Sequence, residues 1–419
     1  MKKTLTFLAL LWSVGAAAGA QVVPEATGPG LPIAGKLQFD LHYSETAGIG
    51  GYEDGQQRSF ASGDASYANT SERLPFTMQY GGGYGWTLAG PSEAGGVFQH
   101  LSLSQGFVGR KWNLTASDNV SYSFETPTTG FSGVPGSGEP IGVAGSTTPT
   151  DQTILALNTR TLDNFTTVGA GHRLDYATSL NIGGSASQIY FIDNNGVNTD
   201  MEMANAGVTR RLNARNSLAG QYSFSRFSYG GVTSTSSETA AQNLSMQMST
   251  AQVSFTRQWN RQISTSASAG PQWISSSDST VAPSSTNVAA SASISGAFKV
   301  GTAGLSYSHG AMGGSGYLLG AEEDSANVNF SRNLGRSANA GLTGSYMRTA
   351  ALNGNGITNG KYAGAQLSRQ IGRTISVFAD YTVMVQSSSS ALSANALSGL
   401  TQVIGFGIGY SPREIRLRH

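Results

Sequence analysis

Alternation of apolar and polar residues is the dominant pattern of this chain. In KLQFDLHYSE, the residues Leu37, Phe39, Leu41 and Tyr43 fall on one face, and polar side chains fall on the other. This period of two is typical of a β-strand with two unlike faces. The pattern returns in KWNLTASDNVSYSF, SANVNFSR, TISVFADYTVMVQ and QVIGFGIGY. No stretch longer than a turn or two has helical periodicity, so the sequence predicts an all-β fold.

Two positions interrupt the alternation. Asp118 stands in the apolar face of KWNLTASDNVSYSF, so a bulge or a position at the rim of the sheet is expected there. The segment NLSMQMSTAQVSF changes phase near residues 249–251, which predicts a β-bulge.

A short basic phrase recurs between alternating runs. It reads RQWNR at 257–261, RNLGR at 332–336 and RQIGR at 369–373, with a looser copy, RRLNAR, at 210–215. The Asn or Gly in each copy suits a tight turn that needs a positive φ, so each phrase predicts a short hairpin turn. The arginines would form a basic rim, or would simply face solvent and lipid headgroups: Arg210, Arg215, Arg257, Arg261, Arg332, Arg336, Arg369 and Arg373.

The connections at the other ends of the strands are longer and rich in Gly, Ser and Asn. We assign them to residues 45–56, 83–96, 189–202, 228–242, 275–287, 310–324, 349–359 and 387–399. Nine hairpins then give about 18 strands, within a range of 16–18. The sequence thus predicts a single closed antiparallel transmembrane β-barrel with short periplasmic turns and long extracellular loops.

The first twenty residues predict export. Lys2 and Lys3 precede the apolar run LTFLALLWSVGAAA, and Ala18-Gly19-Ala20 forms a small-residue cleavage site. An N-terminal membrane anchor is the alternative, but the apolar run is too short to span a bilayer. We therefore expect a signal peptide at 1–20, a periplasmic leader at 21–35, the barrel at 36–412 and a basic tail at 413–419.

Composition agrees with a barrel in a membrane. The chain has no cysteine, only 39% hydrophobic residues and only 12% charged residues. No later run of eighteen apolar residues exists, so strands must cross any membrane. Without the two lysines of the signal peptide, 23 basic and 24 acidic residues remain, for a net charge of −1. This balance gives no reason to expect a nucleic-acid partner.

Together, the export signal, the alternating strands, the short turns opposite long loops and the final strand QVIGFGIGY resemble the β-barrel porins of the bacterial outer membrane. The resemblance covers most of 36–412 and implies a channel for passive diffusion of small polar solutes or ions. It also implies outer-membrane lipid and the barrel-assembly machinery as partners, and it leaves a homo-oligomer open. One departure is SPREIRLRH after Tyr410, where such barrels often end on an aromatic residue. The alternative function is a non-conducting barrel for surface-polymer export or anchoring, or a structural role.

The longest connection, within residues 125–152, is the candidate pore constriction. In general porins the loop at this place folds inward, so the resemblance implies a constriction with Glu139 as its acidic group. A proline-stiffened surface loop is the alternative for this segment, which contains Pro127, Pro135, Pro140 and Pro149.

Catalytic motifs are absent from the sequence. None of the five histidines sits in HExxH, and there is neither a G-x-S-x-G motif nor a cysteine ligand. We expect no enzyme, metal or cofactor. Asp40 and His42, on the polar face of the first strand, are candidate lumen residues; in a barrel enzyme, His42 beside Asp40, or His100, would be the catalytic candidates. The glycine-rich pieces at 80–86 and 310–316 are interpreted as loop or strand-end glycines, without a phosphate site.

Overall fold

The computed structural model describes residues 35–49, 55–69, 71–90, 95–124, 160–193, 197–230, 244–278, 282–314, 318–354, 356–389, 398–413 and 415–417. Its strands are β1 Gly35–Gly48, β2 Gln57–Asn69, β3 Phe76–Ala89, β4 Gly96–Val108, β5 Trp112–Phe124, β6 Arg160–Arg173, β7 Thr178–Phe191, β8 Asn198–Arg211, β9 Asn216–Gly230, β10 Leu244–Gln258, β11 Ile263–Ser276, β12 Ser285–Phe298, β13 Gly301–Gly314, β14 Leu319–Leu334, β15 Ala338–Ala351, β16 Ile357–Ile371, β17 Ile375–Ser388, β18 Gly399–Tyr410 and β19 Ile415–Leu417.

The first eighteen strands form a closed antiparallel barrel. Each strand pairs with its neighbours in the chain, and β18 pairs with β1 from Leu41 opposite Tyr410 to Gly48 opposite Val403. Closure leaves no free sheet edge, which a barrel in lipid requires. The predicted fold class and strand number are confirmed. Among the described residues, no helix is long and apolar enough to cross a membrane.

A short strand, β19, extends the pairing with β1 at the end of the barrel where the short turns lie. β19 pairs with the start of β1, where Gly35 lies opposite Leu417 and Leu37 lies opposite Ile415. Part of segment 413–419 therefore adds backbone hydrogen bonds to the seam between the first and last strands.

The basic phrases form the short turns, in two versions. In one version the Asn side chain closes the turn: Asn260 Oδ1 accepts bonds from the backbone N–H groups of Gln262 and Ile263, both at 2.8 Å. Asn213 does the same in the turn after β8. In the other version Gly335 and Gly372 adopt φ of 78° and 75°, a region open to glycine at no steric cost.

The strands extend further toward the long connections than the sequence indicates. The glycine-rich piece 80–86 lies inside β3, so its interpretation as loop or strand-end glycines is wrong, whereas Gly313 and Gly314 are the last two residues of β13 and are strand-end glycines as expected.

The bulges expected from the two interruptions do not form. β10 keeps one register with β9 from Leu244 to Arg257, across the phase change. The phase changes because Met246 and Met248 point into the lumen, whereas Val253 and Phe255 point outward. Asp118 also keeps continuous register, opposite Leu103 on β4 and Thr166 on β6, in the middle of β5. The expectation of a bulge or rim position for Asp118 is therefore wrong.

The outer face is an apolar band between two aromatic belts. Trp112 and Tyr122 mark the two belts on β5, ten residues apart. At about 3.3 Å per residue and a tilt of about 40°, this separation corresponds to about 25 Å along the barrel axis, which matches the apolar band of an outer-membrane barrel. Other outward aromatic residues lie at several levels: Trp86, Trp259, Trp273 and Tyr410 are near strand ends, whereas Tyr222, Tyr307 and Tyr381 are in the middle of their strands.

Candidate functional site in the barrel lumen

Hydroxyl groups line much of the inner face. Between β11 and β12, three cross-strand pairs of serine hydroxyls lie at 2.7–2.8 Å. Ser308 and Ser325 pair at 2.6 Å between β13 and β14, and Ser117 and Thr167 pair at 2.7 Å between β5 and β6. Neutral, hydrogen-bonding walls of this kind favour water and small polar solutes.

An acidic and histidine-rich wall extends from β1 to β4. Asp40 and His42 lie on the face of β1 opposite the exposed Leu41 and Tyr43, and therefore face the lumen. Asp40 lies opposite Asp64 on β2, and His42 Nε2 is 3.6 Å from Asp64 Oδ2. The register continues through β3 to His100 on β4. Four titratable side chains from three strands thus share one part of the wall.

Glycine on the intervening strand lets this wall assemble. A Cβ at Gly81 on β3 would lie 2.2 Å from both Asp64 Oδ1 and His100 Cε1. The side chains of Asp64 and His100 therefore both lie against the backbone of Gly81. A Cβ at Gly409 on β18 would likewise lie 2.9 Å from His42 Nδ1. Gly81 in YGGGYGW and Gly409 in QVIGFGIGY therefore leave room for the side chains of the titratable wall.

Negative charge dominates the middle of the lumen. The inward-facing acids of the described strands are Asp40, Asp64, Asp163, Glu323 and Asp380. The inward-facing bases are Arg58 and three residues near the short-turn ends of their strands, Lys36, Arg173 and Arg211. Arg58 is the second residue of β2, next to a long connection, so no Lys or Arg lies on the inner face of the described strands away from their ends. The potential along this path therefore favours cations over anions.

An apolar cluster fills the lumen on the opposite side, toward the long connections. Its buried members come from β8 to β11, from β13 and from the β11–β12 connection: Met201, Phe227, Tyr229, Met246, Met248, Ile274, Ala282 and Ala311. Phe165, Val197 and Leu352 are partly buried and pack against them. Met246 has no exposed surface, and Tyr229 is 2% exposed. This cluster narrows the passage to the side of the titratable wall.

The β13–β14 hairpin bends into the lumen at its end near the long connections and contributes to this cluster. Pairing of β12 with β13 ends at Ala290 opposite His309, but β13 continues to Gly314 beside β14. The hairpin then contacts β9 and β10: the hydroxyl of Tyr229 donates to the carbonyl of Gly313, and a Cβ at Gly320 would lie 2.9 Å from Met246 Sδ. The hairpin therefore covers part of the lumen.

An ion pair between Arg160 and Asp193, which we call the clasp, joins the start of β6 to the end of β7. Arg160, the first residue of β6, binds Asp193 just after β7, with its Nε 3.1 and 3.0 Å from the two carboxylate oxygens. The backbone N–H of Arg160 also donates to Asp193 Oδ2 at 3.2 Å. Hydrogen bonding to Arg160 lowers the pKa of the Asp193 carboxyl.

The predicted site residues fall in three places. Asp40 and His42 lie in the titratable wall. The first arginine of each basic phrase lies one or two residues before the end of a strand, on the face of the outward apolar residues: Arg210, Arg257, Arg332 and Arg369. Of these, Arg257 stacks over Trp259 at 4.0 Å. The second arginines lie in the turns: Arg215, Arg261, Arg336 and Arg373. Pro127, Pro135, Glu139 and Pro140 lie outside the described residues.

Sequence reasoning missed the inward hairpin and the amide that anchors it. Gln272 Nε2 donates to the carbonyl of Ala311 at 3.0 Å, and Gln272 Oε1 accepts from the N–H of Ala311 at 2.7 Å. The available signal was the phase change at Met246 and Met248, which marks apolar side chains on the lumen face. In the described part of the chain, no group of three or more His, Cys, Asp or Glu residues has the geometry of a metal site.

Comparison with known proteins gives structural likeness at low sequence identity. No family model matches the chain, and no curated protein matches it. Pseudomonas aeruginosa OccK5 (OpdH) is 10% identical, with 91% of this chain and 98% of that chain covered and a TM-score of 0.45. P. aeruginosa OccK2 (OpdF), solved in complex with glucuronate, is 11% identical, with 91% and 98% covered and a TM-score of 0.46. Acinetobacter baumannii OccAB4 is 11% identical, with 91% and 98% covered and a TM-score of 0.45. Values this low carry no argument about function.

Proposed function

We propose that this protein is a bacterial outer-membrane channel for passive diffusion of small polar solutes or ions, with a preference for cations. The observation that carries the proposal is the polar lumen wall from β1 to β6, with Asp40, Asp64 and Asp163 among small hydroxyl and amide side chains. The hydroxyl and amide groups of such a wall favour water and small polar solutes, and its carboxylates favour cations.

The outer surface supports the location. An apolar band of about 25 Å between two aromatic belts matches an outer-membrane barrel. Arginine at the short-turn ends, such as Arg257 stacked on Trp259, suits the headgroup level, where long basic side chains reach water. Lipid and the barrel-assembly machinery are the partners that this location requires.

The apolar cluster supports a second candidate, a non-conducting barrel. The cluster and the residues packed against it come from β6, β8 to β11, β13 and β14, and from the connections next to them, so seven of the eighteen strands contribute to it. A barrel closed in this way would serve surface-polymer export or anchoring, or a structural role.

Single-channel recording in a planar lipid bilayer tests the two candidates. The refolded protein is compared with a variant that lacks residues 128–148, and heat-modifiable migration shows that each barrel has folded. Steady conductance steps with cation preference support the channel, and larger steps after deletion identify 125–152 as a constriction. If neither folded protein gives conductance steps, the channel proposal is overturned and the non-conducting barrel is favoured.

A further inference from the structure

The end of the barrel that carries the short turns is strongly basic. We define this end as the eight short connections, the three strand residues on each side of them, the first three residues of β1, and residues 408–413 and 415–417. It contains 17 of the 22 described lysines and arginines but only two of the 15 described acids, Glu72 and Asp175. The other described residues include five bases and 13 acids. Positive charge is therefore concentrated at one end of the molecule.

Five consecutive turns at this end share one pattern. From β8 to β17, each short turn contains one base and no acid, and we call these residues the turn bases: Arg215, Arg261, Lys299, Arg336 and Arg373. All five side chains are exposed, and none forms an ion pair with a described residue. Neighbouring turns are two strands apart. At about 4.8 Å between strands and a tilt of about 40°, the turn bases therefore recur about every 12 Å along the rim.

The turn bases lie at the aqueous border of the apolar band. In each of the five hairpins an exposed apolar residue comes one to three positions before the base: Leu212, Trp259, Phe298, Leu334 and Ile371. The first arginines of the basic phrases, such as Arg257, come two residues before this apolar residue, on the outer face of the strand, where lipid headgroups are within reach. The turn bases are therefore nearer to the aqueous compartment than to the hydrocarbon.

A pocket of about 480 Å³ opens beside two of these turns. It is bounded by the β14–β15 turn, the β16–β17 turn and Ser411. Its lining includes amide and hydroxyl side chains and one turn base: Asn333, Asn339, Ser368, Gln370, Ser376 and Arg336. Asn339 Nδ2 donates to Asn333 Oδ1 at 2.9 Å, which orients both amides. Amides and hydroxyls can hydrogen-bond the hydroxyl and amide groups of a sugar, and a guanidinium can bind a carboxylate.

The geometry points to the acidic polymer of the cell wall, glycan strands that carry carboxylate-bearing peptides, as the occupant of this surface. Such a polymer repeats its carboxylates along an extended chain, as the turn bases repeat positive charge along the rim. Its sugar and peptide groups match the pocket beside Arg336. Attraction between opposite charges brings the two surfaces together. The inference rests on the outer-membrane location in the proposed function, with the short turns in the periplasm, and it does not require an open channel.

Co-sedimentation with purified sacculi, the insoluble wall polymer, tests this inference. The folded protein in neutral detergent is mixed with sacculi at low ionic strength, and the pelleted fraction gives an apparent dissociation constant. We expect Arg261→Gln, Arg336→Gln and Arg373→Gln together to weaken binding at least tenfold, because each base near an anionic surface contributes several-fold in affinity.

A charge-matched control separates the turn bases from net charge. It removes three bases from the outer face near the long connections, by Arg226→Gln, Arg348→Gln and Lys361→Gln, and should bind sacculi as the wild type does. Heat-modifiable migration verifies that each variant has folded. Wild-type protein that stays in the supernatant at low ionic strength, or equal losses of binding in the two triple variants, would overturn the inference.

Chemical modification of the sacculi gives a readout that needs no variant. Conversion of the wall carboxylates to amides should lower the pelleted fraction at least tenfold, and added salt should weaken binding to native sacculi. Unchanged binding to amidated sacculi contradicts the inference. If the turn variant keeps its wall binding but loses bound anionic phospholipid in native mass spectrometry, the occupant is a lipid headgroup and the inference fails. Conductance enters none of these readouts, so an absence of conductance steps would count against the channel alone.

Discussion

Gln272 on β11 holds both backbone groups of Ala311 on β13, although β12 lies between these strands. The side-chain amide replaces the ladder that β12 stops providing beyond Ala290. Buried backbone N–H and C=O groups need partners, and Gln272 supplies both. This pair explains how the hairpin leaves the barrel wall without leaving its polar backbone unpaired.

Replacing Gln272 should loosen the hairpin. We expect Gln272→Leu to lower the free energy of unfolding by about 1–3 kcal/mol, because Ala311 loses both partners in a buried position. Hydrogen exchange at 310–314 should accelerate, and the channel conductance should rise. Gln252→Leu, on the inner face of β10, is the control without a hairpin contact. Unchanged exchange in the Gln272 variant would show that the hairpin is held by its apolar contacts alone.

A methyl group at position 313 should displace Phe227. A Cβ at Gly313 would lie 2.0 Å from Cδ1 of that ring, so the ring or the hairpin must move. We expect Gly313→Ala to cost about 1–3 kcal/mol of unfolding free energy, as measured by denaturant titration in detergent. Gly220→Ala, with no atom within 4 Å of the new Cβ, is the control. Equal stability of the two variants would contradict the close packing of the hairpin on β9.

Asp64 should contribute to the cation preference. A unit negative charge about 6 Å from the ion path stabilises potassium and destabilises chloride by about 0.7 kcal/mol each in water, so Asp64→Asn should lower the ratio of potassium to chloride permeability about tenfold. The reversal potential in a salt gradient measures this ratio. Glu45→Gln removes the same charge type from the outward face of β1 and should leave the ratio unchanged. Equal shifts in both variants would assign the effect to net charge rather than to the lumen wall.

The clasp between Arg160 and Asp193 should stabilise the barrel in a pH-dependent way. Since the pKa of Asp193 is lowered in the folded state, its contribution is present above the unfolded pKa of about 4 and is lost as pH falls through the folded value. The difference in melting temperature between wild type and Asp193→Asn should therefore be present at neutral pH and disappear in acid below the folded pKa. A difference that persists there would mean that the neutral side chain also holds Arg160.

The turn after β16 should discriminate between residues that tolerate positive φ and those that do not. Gly372 has φ of 75°, so Gly372→Ala should cost about 1 kcal/mol, and Gly372→Asn should cost less, because Asn visits this region more readily. Denaturant titration of both variants measures the order. Equal costs would show that the turn relaxes to another conformation.

Much of the fold was predictable from alternation and turn chemistry. Period-two runs fix which residues of β1 share a face, and the Asn or Gly of each basic phrase fixes where the chain reverses. The strand ends near the long connections were not predictable, because inward glycines and apolar side chains there resemble loop composition. Asp40 and His42 were identifiable as inner-face residues, but their association with Asp64 and His100 depends on register across β2 to β4.

The sequence by itself determined the all-β class, the strand number to within about two and the positions of the short turns, because each follows from patterns among residues close in the chain. Only the tertiary structure decided what fills the lumen. The inward bend of β13 and β14, the contact of Phe227 with Gly313 and the bonds from Gln272 to Ala311 join residues separated by dozens of positions. The outward carboxylate of Asp118 is another such case, since Asn164 and Thr166 reach it only after β5 and β6 have paired. Local periodicity gives the face of each side chain, whereas the partners on that face follow from cross-strand register and barrel closure.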